Sequence, residues 1–382
     1  MPYTVLIVDD SSFFQTRLKE LIGGHSELDV IGIATNGREA IEKEESLRPN
    51  IITMDYEMPF LDGLSAVRAI TAKRSVPIVM FSSLTYEGAK ITLEALEAGA
   101  VDFIPKNFAE VSRNSESLRN RLHKKLISFA RNSRSIDPAI QSLKTDELAQ
   151  QALARSLKAK QTTLALRQGL LEKKVRGLDQ NTPQKIAGGS RRKLGSTVKT
   201  IVIGASTGGP VALSELIPKL PKNLSVPILV VQHMPENFTR AFAERLNRIS
   251  QLTVKQAETG DTLAGGQVFI APGGKQLIFD KSGHSLKVID GDDRVSFKPC
   301  VDVTFTSAAN VFGGKVLGIV MTGMGNDGCA GSRILKQKGA YVWGQDRETS
   351  VIYGMPAAVA NANLADEILP VSGFISRIIE EF

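Results

Sequence analysis

The chain has 382 residues, 42% of them hydrophobic and 23% charged, a composition typical of folded proteins with two or three domains. No apolar run reaches the length of a membrane span, the N-terminus lacks the segments of a secretory signal, and the two cysteines are too few for a disulfide framework. We therefore expect a cytoplasmic protein without direct membrane insertion.

The net charge of +7 comes from one segment of the chain. Residues 111–200 carry 20 Lys and Arg against 6 Asp and Glu, or +14, which leaves 27 against 34, or −7, elsewhere. A nucleic-acid footprint should lie on a folded face. This segment has neither interleaved aromatic residues nor a recognition-helix pattern, so we expect no nucleic-acid partner. A DNA-binding regulator with steeply salt-dependent binding is the alternative.

The first 106 residues alternate between short apolar runs and amphipathic stretches. Residues 13–22 have the amphipathic pattern of a helix and end at Gly23-Gly24, a common helix stop. Five units of this kind predict a doubly wound parallel sheet with helices on both faces, followed by a last helix over 111–130. The predicted strands are 5–8, 30–34, 51–54, 78–81 and 103–104.

A composition change separates this region from a second α/β region. Residues 131–195 are rich in Gln, Ser, Lys and Arg with irregularly spaced leucines, which predicts a basic, partly helical linker. We interpret it as a tether, with a binding arm as the alternative. The sequence thus predicts a domain over 1–130 and a second doubly wound domain, with a mainly parallel sheet, over 196–382. Strands are expected there at 200–204, 227–231, 268–271, 316–321 and 341–343.

Acidic residues follow two strands of the first predicted sheet. Asp9 and Asp10 come directly after the first strand, and Asp55 ends the third. The carboxyl ends of parallel strands line one crevice, and clustered carboxylates favour a neutralising cation such as Mg²⁺, which leaves room for a phosphoryl group. Lys106 and Ser82, at the ends of two other strands, could contact phosphoryl oxygens.

The segments VLIVDDSSF, ITMDYEMPFLDG, VMFSSLT and VDFIPK resemble the receiver domains of response regulators. The resemblance implies a flavodoxin-like fold and Asp55 as the phospho-acceptor. The implied Mg²⁺ ligands are Asp9, Asp10, Asp55 and the carbonyl of Glu57. The implied switch residues are Ser82, Phe103 and Lys106. The chain departs from the family at Asn107, where proline is usual.

The segment IVIGASTGGP places a serine in a G-x-S-x-G pattern between a predicted strand and a predicted helix. Gly204 and Gly208 would permit a sharp turn that exposes Ser206, and Pro210 suits the first helical turn. Helix N–H groups nearby could bind a developing oxyanion. The same kind of turn also binds phosphate, so the pattern alone leaves both interpretations open.

A serine nucleophile needs a base, and the chain has four histidines. His25 follows a glycine pair, His123 lies in a basic helix, and His284 lies in the predicted hairpin turn KSGHS. His233, just past the second strand of the C-terminal region, should lie at the same sheet edge as the serine. A structural histidine is the alternative there.

The third member of such a site would be a carboxylate that orients the imidazole. Asp327, in IVMTGMGNDG, follows another apolar strand, in a turn where the backbone N–H groups of Met324 and Gly325 could face a substrate. Asp302 and Asp346 are the alternatives.

The segments GASTGGP, QHMPENFT, IAPGG, MTGMGNDG and TSVIYGMP, taken in order, resemble the catalytic domain of CheB-type protein-glutamate methylesterases. The resemblance implies Ser206 as nucleophile, His233 as base and Asp327 as the orienting carboxylate. Thr207 and the backbone around Met324 and Gly325 are implied to assist substrate and oxyanion binding.

Two departures from this family concern the substrate cleft. The chain reads Lys298-Pro299-Cys300 where Arg-Pro-Ser is common, and it has Gln276 where histidine is common. Neither departure touches the implied triad.

Together the two resemblances imply a phosphorylation-activated hydrolase that removes methyl groups from glutamate γ-methyl esters on chemoreceptors and also deamidates receptor glutamines. The implied partners are methyl-accepting chemoreceptors and a chemotaxis-type histidine kinase, with Mg²⁺ for phosphorylation and no cofactor for ester hydrolysis. The unphosphorylated receiver would cover the esterase cleft. The alternatives are the same chemistry in a non-flagellar chemosensory pathway and a non-enzymatic phosphate-binding signalling module.

Overall fold

The computed structural model describes residues 1–106, 108, 111, 115–134, 194–292 and 294–382. The predicted linker over 131–195 lies almost entirely outside the described residues, and so does Asn107. Residues Met1–Arg131, here called the N-terminal domain, and Lys193–Phe382, the C-terminal domain, form one compact unit. Within the described part of the chain, no helix is long and apolar enough to cross a membrane.

The N-terminal domain contains a five-stranded parallel sheet with the strand order β2-β1-β3-β4-β5. The strands are β1 (Tyr3–Val8), β2 (Leu28–Ala34), β3 (Ile51–Asp55), β4 (Ile78–Ser83) and β5 (Asp102–Lys106). The apolar side chains of the central strands β3 and β4, and of Val5–Val8 in β1, are almost completely buried because helices cover both faces of the sheet, whereas Val30, Ile31 and Ile33 of the edge strand β2 are half-buried. The predicted doubly wound parallel fold is confirmed.

Three helices of the N-terminal domain begin where the sequence supplies a capping side chain. Asn36, Asp62 and Thr85 each accept a hydrogen bond from a backbone N–H in the first turn of the following helix. The predicted last helix begins five residues later and ends four residues later than expected. The helices are α1 (Ser12–Gly23), α2 (Gly37–Leu47), α3 (Gly63–Lys73), α4 (Tyr86–Glu97) and α5 (Glu116–Arg134).

The C-terminal domain contains a seven-stranded parallel sheet with the order β14-β13-β12-β6-β7-β9-β8 and a separate antiparallel hairpin, β10–β11. The mainly parallel sheet confirms the prediction. The sheet strands are β6 (Thr200–Ala205), β7 (Ile228–Gln232), β8 (Thr253–Gln256), β9 (Gln267–Ile270), β12 (Val316–Val320), β13 (Tyr341–Gln345) and β14 (Glu367–Leu369). The hairpin strands are β10 (Lys275–Phe279) and β11 (Leu286–Asp290).

The helices of the C-terminal domain pack on both faces of this sheet around buried aromatic side chains such as Trp343 and Phe305. The helices are α6 (Gly209–Leu216), α7 (Glu236–Ile249), α8 (Val301–Phe312), α9 (Cys329–Gln337), α10 (Met355–Asn361) and α11 (Val371–Glu381). Short 3₁₀ turns lie at Leu194–Ser196 and Ile217–Lys219.

The register of the second sheet brings three strand ends together. Gly204 of β6 pairs with Val231 of β7 on one side and with Val320 of β12 on the other. The loops that follow these three strands therefore leave the sheet side by side at its carboxyl edge.

The two domains contact each other through helices. Helix α4 of the N-terminal domain packs against α7 and α6 of the C-terminal domain. Arg245 Nε donates a hydrogen bond to Glu97 Oε1 at 2.8 Å, and the Tyr86 hydroxyl donates to Glu244. At the start of α7, which begins three residues after His233, Asn237 Nδ2 donates to the Leu84 carbonyl at 2.8 Å, so the contact extends to the carboxyl edge of the second sheet.

Candidate active site and phosphorylation site

The carboxylates at the strand ends of the N-terminal domain converge. Asp9 and Asp55 are buried and Asp10 is exposed, and one carboxylate oxygen of each lies within 4.8 Å of the others. Lys106 Nζ lies 2.7 Å from Oδ2 of Asp9 and 2.7 Å from Oδ2 of Asp55. The lysine thus bridges the two buried carboxylates.

The electrostatics of this cluster suit a divalent cation. Burial raises the pKa of Asp55 to about 6, the charge and hydrogen bond of Lys106 offset part of that rise, and the Asp9 carboxylate adds to it. Burial likewise raises the pKa of Asp9. A group of carboxylate oxygens this close favours a second positive charge, and oxygen ligands are the ones that Mg²⁺ prefers. The residues therefore fit a Mg²⁺ site.

Two of the predicted switch residues contact helices that take part in the contact between the domains. The Ser82 hydroxyl is buried and lies 2.6 Å from Thr92 Oγ1 and 3.3 Å from the Gly88 carbonyl oxygen, both on α4. The ring of Phe103 stacks on Phe238 of α7. The end of β4 and the middle of β5 are therefore both linked to the helices that join the two domains.

Ser206 lies in the turn between β6 and α6. Its backbone N–H donates to the Thr322 carbonyl at 3.0 Å, and Gln232 Nε2 donates to its carbonyl at 2.9 Å. Gly208 has φ of +77°, a left-handed conformation that a residue with a Cβ adopts only with strain. The glycine and these two hydrogen bonds make the sharp turn that leaves the serine side chain at the carboxyl edge of the sheet.

His233 follows β7 and contacts a carboxylate from the loop after β12. Its Nε2 lies 2.7 Å from Asp327 Oδ2, and its backbone N–H donates to the Ala205 carbonyl at 3.1 Å. The side chain is almost fully buried, and its Nδ1 has no hydrogen-bond partner among the described residues. A carboxylate oxygen can only accept, so Nε2 carries the proton that faces Asp327, and in the neutral imidazole Nδ1 is then the nitrogen with the lone pair.

Asp327 is held ionised at the start of α8. Its carboxylate accepts backbone N–H bonds from Val301 at 2.8 Å, Asp302 at 3.0 Å and Gly328 at 3.0 Å, and the Cys300 thiol lies 3.2 Å away. Burial raises the pKa of Asp327, but the hydrogen bond and charge of His233 and these backbone donors outweigh it and lower the pKa to about 2. The helix N-terminus contributes in the same direction.

The two alternative carboxylates have other partners. Asp302 Oδ1 accepts from the Gly331 N–H at 2.6 Å, and Asp346 Oδ1 accepts from the Thr349 N–H at 3.0 Å. Of the three candidates in the described chain, the structure brings Asp327 to hydrogen-bond distance of His233.

Ser206 and His233 line one cavity of about 370 Å³ that residues of both domains enclose. Thr207, which is buried, also lines it. Met324 and Gly325 are not among the lining residues of the described chain. Gly325 is exposed, and the Met324 side chain packs near Ile352.

Several residues around this cavity were not predicted from the sequence. Gln232, whose side chain anchors the Ser206 turn, directly precedes His233 and could have been noticed for that reason. Phe297 stacks on the His233 imidazole, and no sequence pattern indicated it. Arg121 and Lys125 of α5 also line the cavity, although they belong to the other domain.

The fold and the two sites define a response regulator whose second domain has a serine and a histidine on one cavity and binds that histidine to an aspartate. The family described as response regulator receiver domain matches residues 5–114, and the family described as CheB methylesterase matches residues 201–378. The crystallised CheB methylesterase catalytic domain of Thermotoga maritima is 42% identical over 48% of this chain and 98% of its own, with a TM-score of 0.47.

Curated relatives match this chain over its whole length. A protein-glutamate methylesterase/protein-glutamine glutaminase of Saccharophagus degradans is 54% identical and matches 100% of both chains. A relative of the same name from Hahella chejuensis is 46% identical over 100% of this chain and 99% of its own. The chain belongs to the CheB-type protein-glutamate methylesterase family.

Proposed function

We propose that this protein is a phosphorylation-activated protein-glutamate methylesterase and protein-glutamine glutaminase acting on methyl-accepting chemoreceptors. One arrangement carries the proposal: Ser206 and His233 share a cavity, while the His233 ring is bound through Nε2 to an ionised Asp327. The functions named for the full-length relatives support the same assignment.

Ester hydrolysis would begin with Ser206. Its Oγ attacks the γ-carbonyl carbon of a glutamate methyl ester while His233 Nδ1, the ring nitrogen with a free lone pair, takes the hydroxyl proton. The fixed Asp327 charge stabilises the imidazolium that forms. Collapse of the tetrahedral intermediate breaks the ester C–O bond, and the imidazolium returns the proton to the leaving methoxide as methanol.

Water then resolves the glutamyl-serine ester. His233 takes a proton from the water, which attacks the same carbonyl, and Ser206 Oγ leaves with the proton that the imidazolium returns. We assign Thr207, which lines the cavity, to substrate and oxyanion binding, together with the backbone around Met324 and Gly325, which does not line the cavity in the closed arrangement. With a glutamine side chain, the same steps release ammonia in place of methanol and leave the same glutamate.

The wall that the N-terminal domain contributes to the cavity supports gating by phosphorylation. Residues 102–105, Arg121 and Lys125 face the same cavity as Ser206. A chemoreceptor helix could reach the serine only after this wall moves. Phosphorylation at Asp55 would shift a pre-existing equilibrium between the closed and open arrangements.

We assign the phosphorylation chemistry to the acidic cluster. Asp55 would accept the phosphoryl group from a chemotaxis-type histidine kinase, and the Mg²⁺ ligands would be Asp9, Asp10, Asp55 and the carbonyl of Glu57. Bound there, Mg²⁺ would neutralise charge between the carboxylates and the phosphoryl oxygens. Lys106 and Ser82 would contact those oxygens, and Phe103 would transmit the change to α7.

This reaction assigns the protein to the cytoplasm, where the methylated helices of chemoreceptors lie. It also supports the predicted division into a receiver over 1–130, a linker over 131–195 and a methylesterase domain over 196–382. The linker would then keep the two domains joined while the receiver moves away from the cavity.

Methanol release from methylated receptor membranes tests the proposal directly. Release should rise with a small-molecule phosphodonor and vanish in Ser206→Ala. Release that ignores the phosphodonor would overturn the gating while leaving the esterase. No release from a substrate that a known methylesterase demethylates would overturn the enzymatic assignment and favour a phosphate-binding module.

A further inference from the structure

We propose that Phe297 is a positioning residue for His233, whose ring orientation it fixes by stacking. The proposal rests on the proposed hydrolase function, because it concerns the base of that reaction. Phe297 lies in the segment between the β10–β11 hairpin and α8, and its role follows from three contacts of that segment.

The first contact is the stack itself. The Phe297 and His233 rings are 4.1 Å apart between centroids, and their planes differ by 7°. Phe297 lines the same cavity as Ser206 and is 40% exposed, so its packing against the imidazole is not part of the hydrophobic core. A large aromatic side chain is thus kept at the cavity, where one of its faces covers the imidazole.

The stack restrains a rotation that the Asp327 hydrogen bond restrains poorly. Rotation of a histidine ring about the Cβ–Cγ bond lies in a broad energy well. In an imidazole, Nδ1 lies farther from this axis than Nε2 does. A given rotation therefore moves Nδ1 more than it moves Nε2, and a hydrogen bond at Nε2 restrains Nδ1 only weakly. A flat ring against the imidazole face opposes this motion. Since His233 Nδ1 has no other partner in the described chain, the stack is what orients the lone pair that must meet Ser206.

The second contact holds Phe297 in place. The Gln276 side chain is buried. Its Nε2 donates to the Phe297 carbonyl at 2.7 Å, and its Oε1 accepts from the Cys300 N–H at 2.8 Å. The Gly274 N–H donates to the Lys298 carbonyl at 2.9 Å. Hairpin strand β10 therefore fixes the backbone that carries the phenyl ring.

The third contact joins the same segment to Asp327. Immediately after Cys300, the Val301 N–H donates to Asp327 Oδ2, the oxygen that His233 Nε2 also contacts. One short stretch of chain thus touches the imidazole face at one end and its carboxylate at the other. The segment sets the plane of the ring and the position of its partner together.

The test compares Phe297→Leu with Phe297→Tyr in the full chain at saturating phosphodonor. Leucine keeps an apolar side chain but removes the flat face, whereas tyrosine keeps it. Because misplacing a catalytic group by about 1 Å can cost up to ~100-fold in rate, we expect Phe297→Leu to lower kcat about tenfold or more with KM within about twofold. Phe297→Tyr should retain most of the activity.

A proton NMR measurement detects the stack without any substrate. A proton above an aromatic face is shielded, so the His233 Cε1 proton should resonate upfield in the wild type and in Phe297→Tyr, and should return downfield in Phe297→Leu. The signal is assigned by its loss in His233→Gln.

Gln276→Glu keeps the acceptor for Cys300 but loses the donor to Phe297, so it should lower kcat in the wild-type background and add nothing to Phe297→Leu.

Three results would overturn the proposal: an unchanged kcat in Phe297→Leu, an effect confined to KM, or a Cε1 proton that Phe297→Leu does not move. The rate at which a fluorophosphonate labels Ser206 reports how well His233 activates the serine, whether or not the enzyme hydrolyses a methyl ester. This rate therefore tests the positioning of His233 separately from the proposed function. If the wild type released no methanol, the esterase assignment would fail, while slower labelling in Phe297→Leu would still support the positioning of His233.

Discussion

Phe103 of the N-terminal domain and Phe238 of the C-terminal domain stack with ring centroids 4.4 Å apart and planes within 4° of parallel. Both rings are almost fully buried. Phe103 belongs to the strand that ends in Lys106, and Phe238 belongs to the helix that starts just after His233. This pair therefore links the strand that carries Lys106 to the helix that follows His233.

Phe103→Ala should raise esterase activity in the absence of phosphodonor. An aromatic pair contributes about 0.5–1.5 kcal/mol beyond its buried area, so its loss should shift the closed arrangement toward the open one by roughly two- to tenfold. Methanol release without phosphodonor measures the effect. Phe103→Tyr, which keeps the ring, is the matched control. Equal basal rates in wild type and Phe103→Ala would exclude this pair as part of the gate.

The ion pair between Arg245 and Glu97 offers a second test of the domain contact, with a charge swap as its control. Arg245→Glu should raise basal activity because two carboxylates would then face each other across the contact. Adding Glu97→Arg restores opposite charges and should return basal activity toward the wild-type value. A double variant as active as the single one would mean that the ion pair does not hold the domains together.

Asp55→Asn should abolish the response to phosphodonor while leaving the basal activity of the closed protein in place. The amide offers no carboxylate to phosphorylate, and it also removes the charge that faces Lys106. The measurement is methanol release across a phosphodonor titration, which should be flat. A residual stimulation would place the phosphorylated group elsewhere in the chain.

Asp327→Asn should lower kcat by about 10⁴-fold, because a neutral amide neither selects the Nε2–H tautomer nor stabilises the imidazolium. Receptor binding should change little, since the carboxylate is buried behind His233. Steady-state methanol release gives kcat and KM. A variant that keeps more than a tenth of the wild-type kcat would point to another carboxylate, with Asp302 the first to examine.

Asp327 should also make stability depend on pH in one direction. Its pKa is about 2 in the folded protein, below its ordinary value of 3.8, so the ionised form stabilises the fold above about pH 4. This stabilisation, on the order of 2–3 kcal/mol, is lost as the pH falls through the folded value near 2. Urea unfolding of the wild type and Asp327→Asn should therefore differ more at pH 6 than at pH 3. A difference independent of pH would contradict the lowered pKa.

Site residues that lie at the ends of strands could be predicted from the sequence. Asp9, Asp55 and Lys106 follow apolar strands of one parallel sheet, and Ser206 and His233 follow strands of another. Since parallel strands end at a common edge, sequence position alone was enough to bring each set together. The order of the strands leaves three carboxylates open as the partner of His233, and only the resemblance implied Asp327, because the loop that carries Asp327 and the helix start that binds it are far apart in sequence.

Features that depend on loops and edges were not predictable. Strands β8 and β14 are short, lie at the two edges of the sheet and carry half-exposed residues, so they lack the apolar runs that mark the central strands. Phe297 lies in an irregular segment where no periodicity indicates what its ring will touch. The orientation of Ser82 toward Thr92 depends on how α4 packs, and strand position does not specify it.

The wall that Arg121 and Lys125 contribute to the cavity has a consequence for the receptor itself. If a receptor helix and the N-terminal domain cannot occupy that space together, receptor binding and phosphorylation both shift the equilibrium between the closed and open arrangements toward the open one. Their coupling is then reciprocal: the factor by which phosphorylation improves receptor binding is the factor by which the receptor favours phosphorylation. Enzyme already bound to a methylated receptor would therefore be phosphorylated at a lower phosphodonor concentration than enzyme free in solution. The substrate would in this way activate its own demethylation.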